Sequence, residues 1–166
     1  MKKFLCAFLS LVILCSCSAD NDVRVVNKGL GFEAHIFNSS QEYLCSGEIS
    51  EDMKATFKVT EGVISGFGAV YFGENVSFFY EGKESDQYNS FSQTLFAPIR
   101  EMFLYLENNE YSVVEKNNEY TVTGNISAGE FILYISPAGL PISAQIKSED
   151  FRVDFYDVSI KNADKN

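Results

Sequence analysis

Along residues 32–59 apolar and polar side chains alternate. Phe32, Ala34 and Ile36 alternate with Glu33 and His35. Tyr43, Cys45, Gly47 and Ile49 share one face, with Ser46 and Glu48 opposite. Met53, Ala55, Phe57 and Val59 alternate with Lys54, Thr56 and Lys58. A period of two marks antiparallel strands with one buried face. The short polar connections Asn38-Ser39-Ser40 and Glu51-Asp52 predict tight links between them. Val63 to Phe72 predicts a further strand, in which Gly66 and Gly68 suggest a bend, a bulge or a close backbone approach. Gly73-Glu74-Asn75 reads as a turn, after which Val76, Phe78 and Tyr80 alternate again.

The period then changes. Phe91, Leu95, Ile99, Met102, Phe103 and Leu106 recur at three- and four-residue spacing, which predicts a helix over 91–106. Ser90 or Ser92 is positioned to cap its start, and Glu107-Asn108-Asn109 to end it. Pro98 has no N–H to give to the helix ladder, so either the helix kinks or Pro98 opens a second helix. Strand patterns return afterwards. Tyr111 to Glu115 and Tyr120 to Gly124 flank the hairpin signal Lys116-Asn117-Asn118-Glu119. Phe131, Leu133 and Ile135 alternate. Pro137 to Pro141 form a turn, and Ile142, Ala144 and Ile146, then Val153 and Phe155, form the last runs. The plan is α+β: a strongly curved antiparallel sheet with one helical segment covering one face.

The N-terminus follows another logic. Lys2 and Lys3 precede a twelve-residue apolar run, Phe4 to Cys15, broken by Ser10. That is the length of a signal-peptide core and too short for a stable membrane span. Leu14-Cys15-Ser16-Cys17 then resembles a bacterial lipobox, with Cys15 where Ala or Ser is more usual. The resemblance implies that residues 1–16 are a signal peptide and that Cys17 carries diacylglycerol, a two-chain anchor sufficient for stable membrane attachment. An ordinary secretory signal cleaved nearby is the alternative. Residues 17–28 then form the lipidated cysteine and a short tether, 29–160 a single domain, and 161–166 a tail.

Charge and cysteine count change meaning on this reading. The chain of 166 residues has 13 basic and 23 acidic groups and a net charge of -10. Losing Lys2 and Lys3 with the signal leaves 11 basic groups against the same 23 acidic ones, a net of -12. Such a balance argues against nucleic acid as a partner. Of the four cysteines, Cys6 and Cys15 leave with the signal and Cys17 is consumed by lipid. Cys45 is then the sole thiol and no internal disulfide forms.

The strands 32–80, the helix with Leu95-Phe96-Ala97-Pro98-Ile99, the hairpin Tyr120-Thr121-Val122-Thr123-Gly124, and the ending from Gly139-Leu140-Pro141-Ile142-Ser143 to Val153-Asp154-Phe155-Tyr156-Asp157-Val158 together carry a second resemblance. Over about residues 30–160 the chain resembles the bacterial lipoprotein carrier and receptor superfamily of the LolA, LolB and LppX kind. The resemblance implies an incomplete β-barrel with helices over its mouth and a hydrophobic cargo. The sorting carriers of that superfamily hold their helical lid with an arginine in an early strand. Here the arginines are Arg24, Arg100 and Arg152, none of them within 32–80.

Catalytic chemistry finds little support. His35 is the one histidine, on an outer strand face, with no accompanying motif. Cys45 lies among apolar residues and reads as a small core side chain. Glu149, Asp150, Asp154 and Asp157 lack the spacing of a calcium loop and read as a solvated face. No enzyme, metal or cofactor is expected. The remaining signal is aromatic, with 15 Phe and 9 Tyr and no Trp. Phe57, Phe67, Phe78, Phe91, Leu95, Ile99, Met102 and Phe103 are the candidate lining of an apolar cavity between sheet and helix. The expectation is a monomeric, membrane-anchored envelope protein that binds a lipid or lipidated peptide without covalent chemistry. Ser18 after the lipidated cysteine would direct it to the outer membrane of a two-membrane cell. A single-membrane cell would keep it on the outer face of its membrane. The alternative is a solid-cored module that engages an envelope protein.

Overall fold

The computed structural model describes residues 23–88 and 95–161. Cys17, Ser90, Phe91, Ser92 and the last five residues lie outside them. Six strands come first: β1 (Leu30–Asn38), β2 (Gln41–Ile49), β3 (Ala55–Glu61), β4 (Phe67–Phe72), β5 (Asn75–Tyr80) and β6 (Lys83–Tyr88). Helix α1 (Ala97–Asn108) follows, then β7 (Val114–Lys116), β8 (Glu119–Ile126), β9 (Gly129–Ile135), β10 (Pro141–Ile146) and β11 (Phe151–Ile160). All eleven strands join one antiparallel sheet in the order β6-β5-β4-β3-β2-β1-β11-β10-β9-β8-β7. Two meanders thus meet where β1 pairs with β11, Ala34 opposite Phe155 and Ile36 opposite Val153. The sheet is open, with β6 and β7 as its edges, and α1 lies in the chain between those two edge strands.

The alternation sets which face is buried. Phe32, Ala34, Ile36, Cys45, Ile49, Phe57 and Val59 all point into the core. From α1 the same core receives Ile99, Met102, Phe103 and Leu106. Rings of the helix segment reach β3 and β4 through Phe96, and β9 through Tyr105. On a flat sheet β4 and β9 would lie about 29 Å apart. The stretch from Phe96 to Tyr105 is only about 14 Å long, so the sheet curls round the helix. Glycine permits the close approaches this needs. A Cβ at Gly124 would sit 2.6 Å from the rings of both Phe131 and Tyr105.

Several boundaries differ from the sequence reading, each for a local reason. The helix starts at Ala97, with Pro98 in its first turn and Phe96 as an N-cap that makes no side-chain cap. Asn109 ends it, as expected. Met53 adopts φ 62° in the turn before β3 and does not belong to the strand. Residues 63–66 form a turn rather than the start of β4, leaving Val63 exposed. Ile142, expected inside, faces solvent because a register shift between Pro141 and Ser143 moves it to the other face. Strand β6 was not foreseen, since Lys83-Glu84-Ser85-Asp86-Gln87 has no apolar alternation. At the 116–119 hairpin, Asn117 and Asn118 take φ 55° and 64°, the left-handed pair that a type I′ turn requires.

Candidate functional site

The space between α1 and the sheet has two ends of different character. At the C-terminal end of the helix, Phe103 stacks on Phe32 at 6.3 Å and meets Phe155 edge-on at 6.2 Å. Tyr105 meets Phe131 edge-on at 5.4 Å. Met102, Phe103 and Leu106 are buried, and side chains fill the gap. At the N-terminal end, Phe96 stacks flat on Phe57 at 5.0 Å and on Phe67 at 6.4 Å. Phe67 in turn stacks on Phe78 at 5.6 Å. This row runs from the fully buried Phe57 outward to Phe67 and Phe78, which are only half-buried.

The candidate lining residues therefore divide. Phe57, Ile99, Met102 and Phe103 pack in the closed core. Phe67, Phe78 and Leu95 are half-buried against it. Phe91 lies outside the described residues. Three surface clefts of about 470, 440 and 640 Å³ occur elsewhere, around Tyr134 and Arg152, around Gly31 and Lys58, and around Val23 and Tyr111. None of these three is lined by the candidate residues.

Sequence reasoning passed over one residue at this site. Arg100 is 1% exposed and is the one buried charged side chain among the described residues. Its Nε and Nη1 have no hydrogen-bond partner among those residues. Burial pushes the guanidinium below its ordinary pKa, and an electrostatic interaction with Tyr71 opposes that shift. A signal was present: Arg100 follows Phe96 by four and precedes Phe103 by three, which puts it on the apolar face of the helix.

The other candidate chemistry lies apart from this site. His35 Nε2 is 3.3 Å from a Glu42 carboxylate oxygen on the outer face of β1 and β2. The Cys45 thiol is pushed up to about 12, first by burial and then by the charge of Glu33. It is therefore a protonated, unreactive group at neutral pH. Asp154 pairs with Arg152 at 2.9 Å. No group of three His, Cys, Asp or Glu suited to a metal occurs among the described residues, and no helix there is long and apolar enough to cross a membrane.

Residues 23–28 are fixed to the domain. Val25 is buried, its N–H donates to the Tyr111 hydroxyl, and the Val26 N–H donates to the Gly139 carbonyl at 2.9 Å. Asn27 and Lys28 both bond the Glu107 carboxylate at the end of α1. These two bonds, with the lysine charge, hold the Glu107 carboxyl below the usual range. The chain thus enters the domain beside the C-terminal end of the helix, the end away from Arg100.

No family model and no curated protein matches the chain. Among solved structures it is similar to a LolA superfamily protein from Nitrosomonas europaea, at 11% identity and a TM-score of 0.41, covering 86% of this chain and 90% of that one. It is also similar to a DUF1329 family protein from Desulfovibrio piger, at 8% identity and a TM-score of 0.41, covering 81% and 86%. A third likeness is to MucB in complex with MucA, at 9% identity and a TM-score of 0.34, covering 80% of this chain and 51% of that one.

Proposed function

We propose that this protein is an envelope lipoprotein, anchored through Cys17, that takes up a lipid or lipidated peptide between its sheet and the start of α1. The observation that carries the reading is the aromatic row Phe57, Phe96, Phe67 and Phe78. It leads from the closed core to half-buried rings beside the helix N-terminus. An acyl chain laid along such rings gains about 0.8 kcal/mol per buried methylene, with no covalent step needed. The lipobox supports the anchor. The acidic surface suits a domain that stands off anionic headgroups while its two acyl chains make the membrane contact. Ser18 after the lipidated cysteine supports outer-membrane placement in a two-membrane cell; in a single-membrane cell the anchor would hold the domain on the outer face. The filled C-terminal end of the helix favours the second reading, a solid-cored domain that binds an envelope protein.

Metabolic labelling with an alkyne fatty acid tests the anchor. The wild-type chain takes the label and sediments with membranes, whereas Cys17→Ala does neither. Equal labelling of both would refute the anchor.

A further inference from the structure

At the first turn of α1 a positive charge is buried with no carboxylate paired to it among the described residues. Arg100 is almost wholly buried, and its Nε and Nη1 donors have no partner among the described residues. No acidic residue occupies that turn and the Phe96 side chain supplies no cap, so the positive end of the helix dipole adds to the guanidinium. Tyr71, fully buried on β4, is its polar neighbour. Phe57 meets Tyr71 edge-on at 5.8 Å and Phe96 face-on at 5.0 Å, so the surroundings are aromatic and buried. An arginine does not escape such a place by losing its proton. A buried cation without a counter-charge is strongly disfavoured, and an arriving oxyanion relieves it through charge-assisted hydrogen bonds.

We infer that Arg100 holds the acidic end of the hydrophobic ligand, a carboxylate or phosphate group, while the acyl chain runs along Phe67 and Phe78. This rests on the reading that sheet and helix take up such a ligand, and it specifies the ligand as an anionic amphiphile. Because Arg100 is closed off, binding shifts the first turn of α1 away from the sheet. The core holds a cation beneath an acidic exterior, so the site discriminates by the ligand's buried end rather than by surface attraction.

The test uses the full chain with its anchor, held in lipid nanodiscs, with empty nanodiscs as the blank. Retention of radiolabelled dodecanoate, dodecyl phosphate and dodecanol is measured on wild type, Arg100→Met and Arg100→Lys. At least one acidic amphiphile is expected to be retained about tenfold better than dodecanol. The stronger of the two identifies the source as a carboxylate or a phosphate. Arg100→Met abolishes the preference, so that the acidic amphiphiles are retained no better than dodecanol by the same variant. Arg100→Lys, which keeps the charge and controls for folding, retains part of it. Equal retention of acidic and neutral amphiphiles, or a preference that survives Arg100→Met, overturns the anchor role and leaves the hydrophobic-ligand reading standing. Retention of none of the three overturns both.

Discussion

The two ends of α1 meet the same sheet in opposite ways. Toward its C-terminus, Phe103, Tyr105 and Leu106 close against β1, β9 and β11, and Asn27 and Lys28 clamp the last turn through Glu107. Toward its N-terminus Phe96 supplies no side-chain cap, the buried Arg100 has two donors without partners among the described residues, and Phe67 and Phe78 are only half-buried. On the proposed reading one helix serves two purposes: its far end holds the fold, while its first turn keeps a buried cation for the ligand at a cost in stability. Natural domains are stable by only about 5–15 kcal/mol, so such a cost is a large share of the total.

Three substitutions sharpen or break this contrast. The largest effect belongs to the closed end. Phe103→Ala removes a buried ring that touches both Phe32 and Phe155, and should cost about 3–5 kcal/mol in urea denaturation. A cost under about 1 kcal/mol would mean that this end is not the structural one. Next comes the open end, with the sign reversed. Arg100→Met replaces a buried charge that has no paired carboxylate among the described residues by an apolar chain, and should raise ligand-free stability by about 1–4 kcal/mol, read as a higher Tm. A lower Tm would show that Arg100 has a partner within the fold. The smallest effect is at the clamp. The folded-state pKa of Glu107 lies below its unfolded value, so its contribution is present above the unfolded pKa and is lost as pH falls through the folded one. Glu107→Gln should remove that acid sensitivity, with less than about 1 kcal/mol at stake because the pair is solvent-exposed. An unchanged pH profile would remove the clamp from the account.

Much of the sheet was legible because its alternation is strict. β1, β2 and β11 bury the residues that period two assigns to the core. The misreadings fall where backbone geometry overrides side-chain pattern. A one-residue register shift turns Ile142 outward, and a left-handed φ takes Met53 out of its strand. Strand β6 was invisible because an edge strand made of polar residues carries no hydrophobic signal. The helix was read from its apolar stripe, and the same reading hid Arg100. A charged residue within a stripe is ordinarily assigned to the solvent side. Only its spacing from Phe96 and Phe103 shows that it faces inward. The candidate residues other than Phe91, which lies outside the described residues, belong to the core cluster or pack against it. Whether they pack on each other or remain half-buried depends on how far the sheet curls, which no local pattern encodes.

The central claim is that this protein carries a non-covalent hydrophobic ligand, and native mass spectrometry tests it most directly. The full chain would be extracted from the membranes in which it is made and sprayed under gentle activation. The account predicts one acyl-chain-bearing molecule bound in excess of the mass of the protein with its own anchor. That molecule should be absent from a Phe67→Asp, Phe78→Asp variant that still folds. Protein that carries its anchor and nothing else, even after incubation with lipid vesicles, would contradict the account.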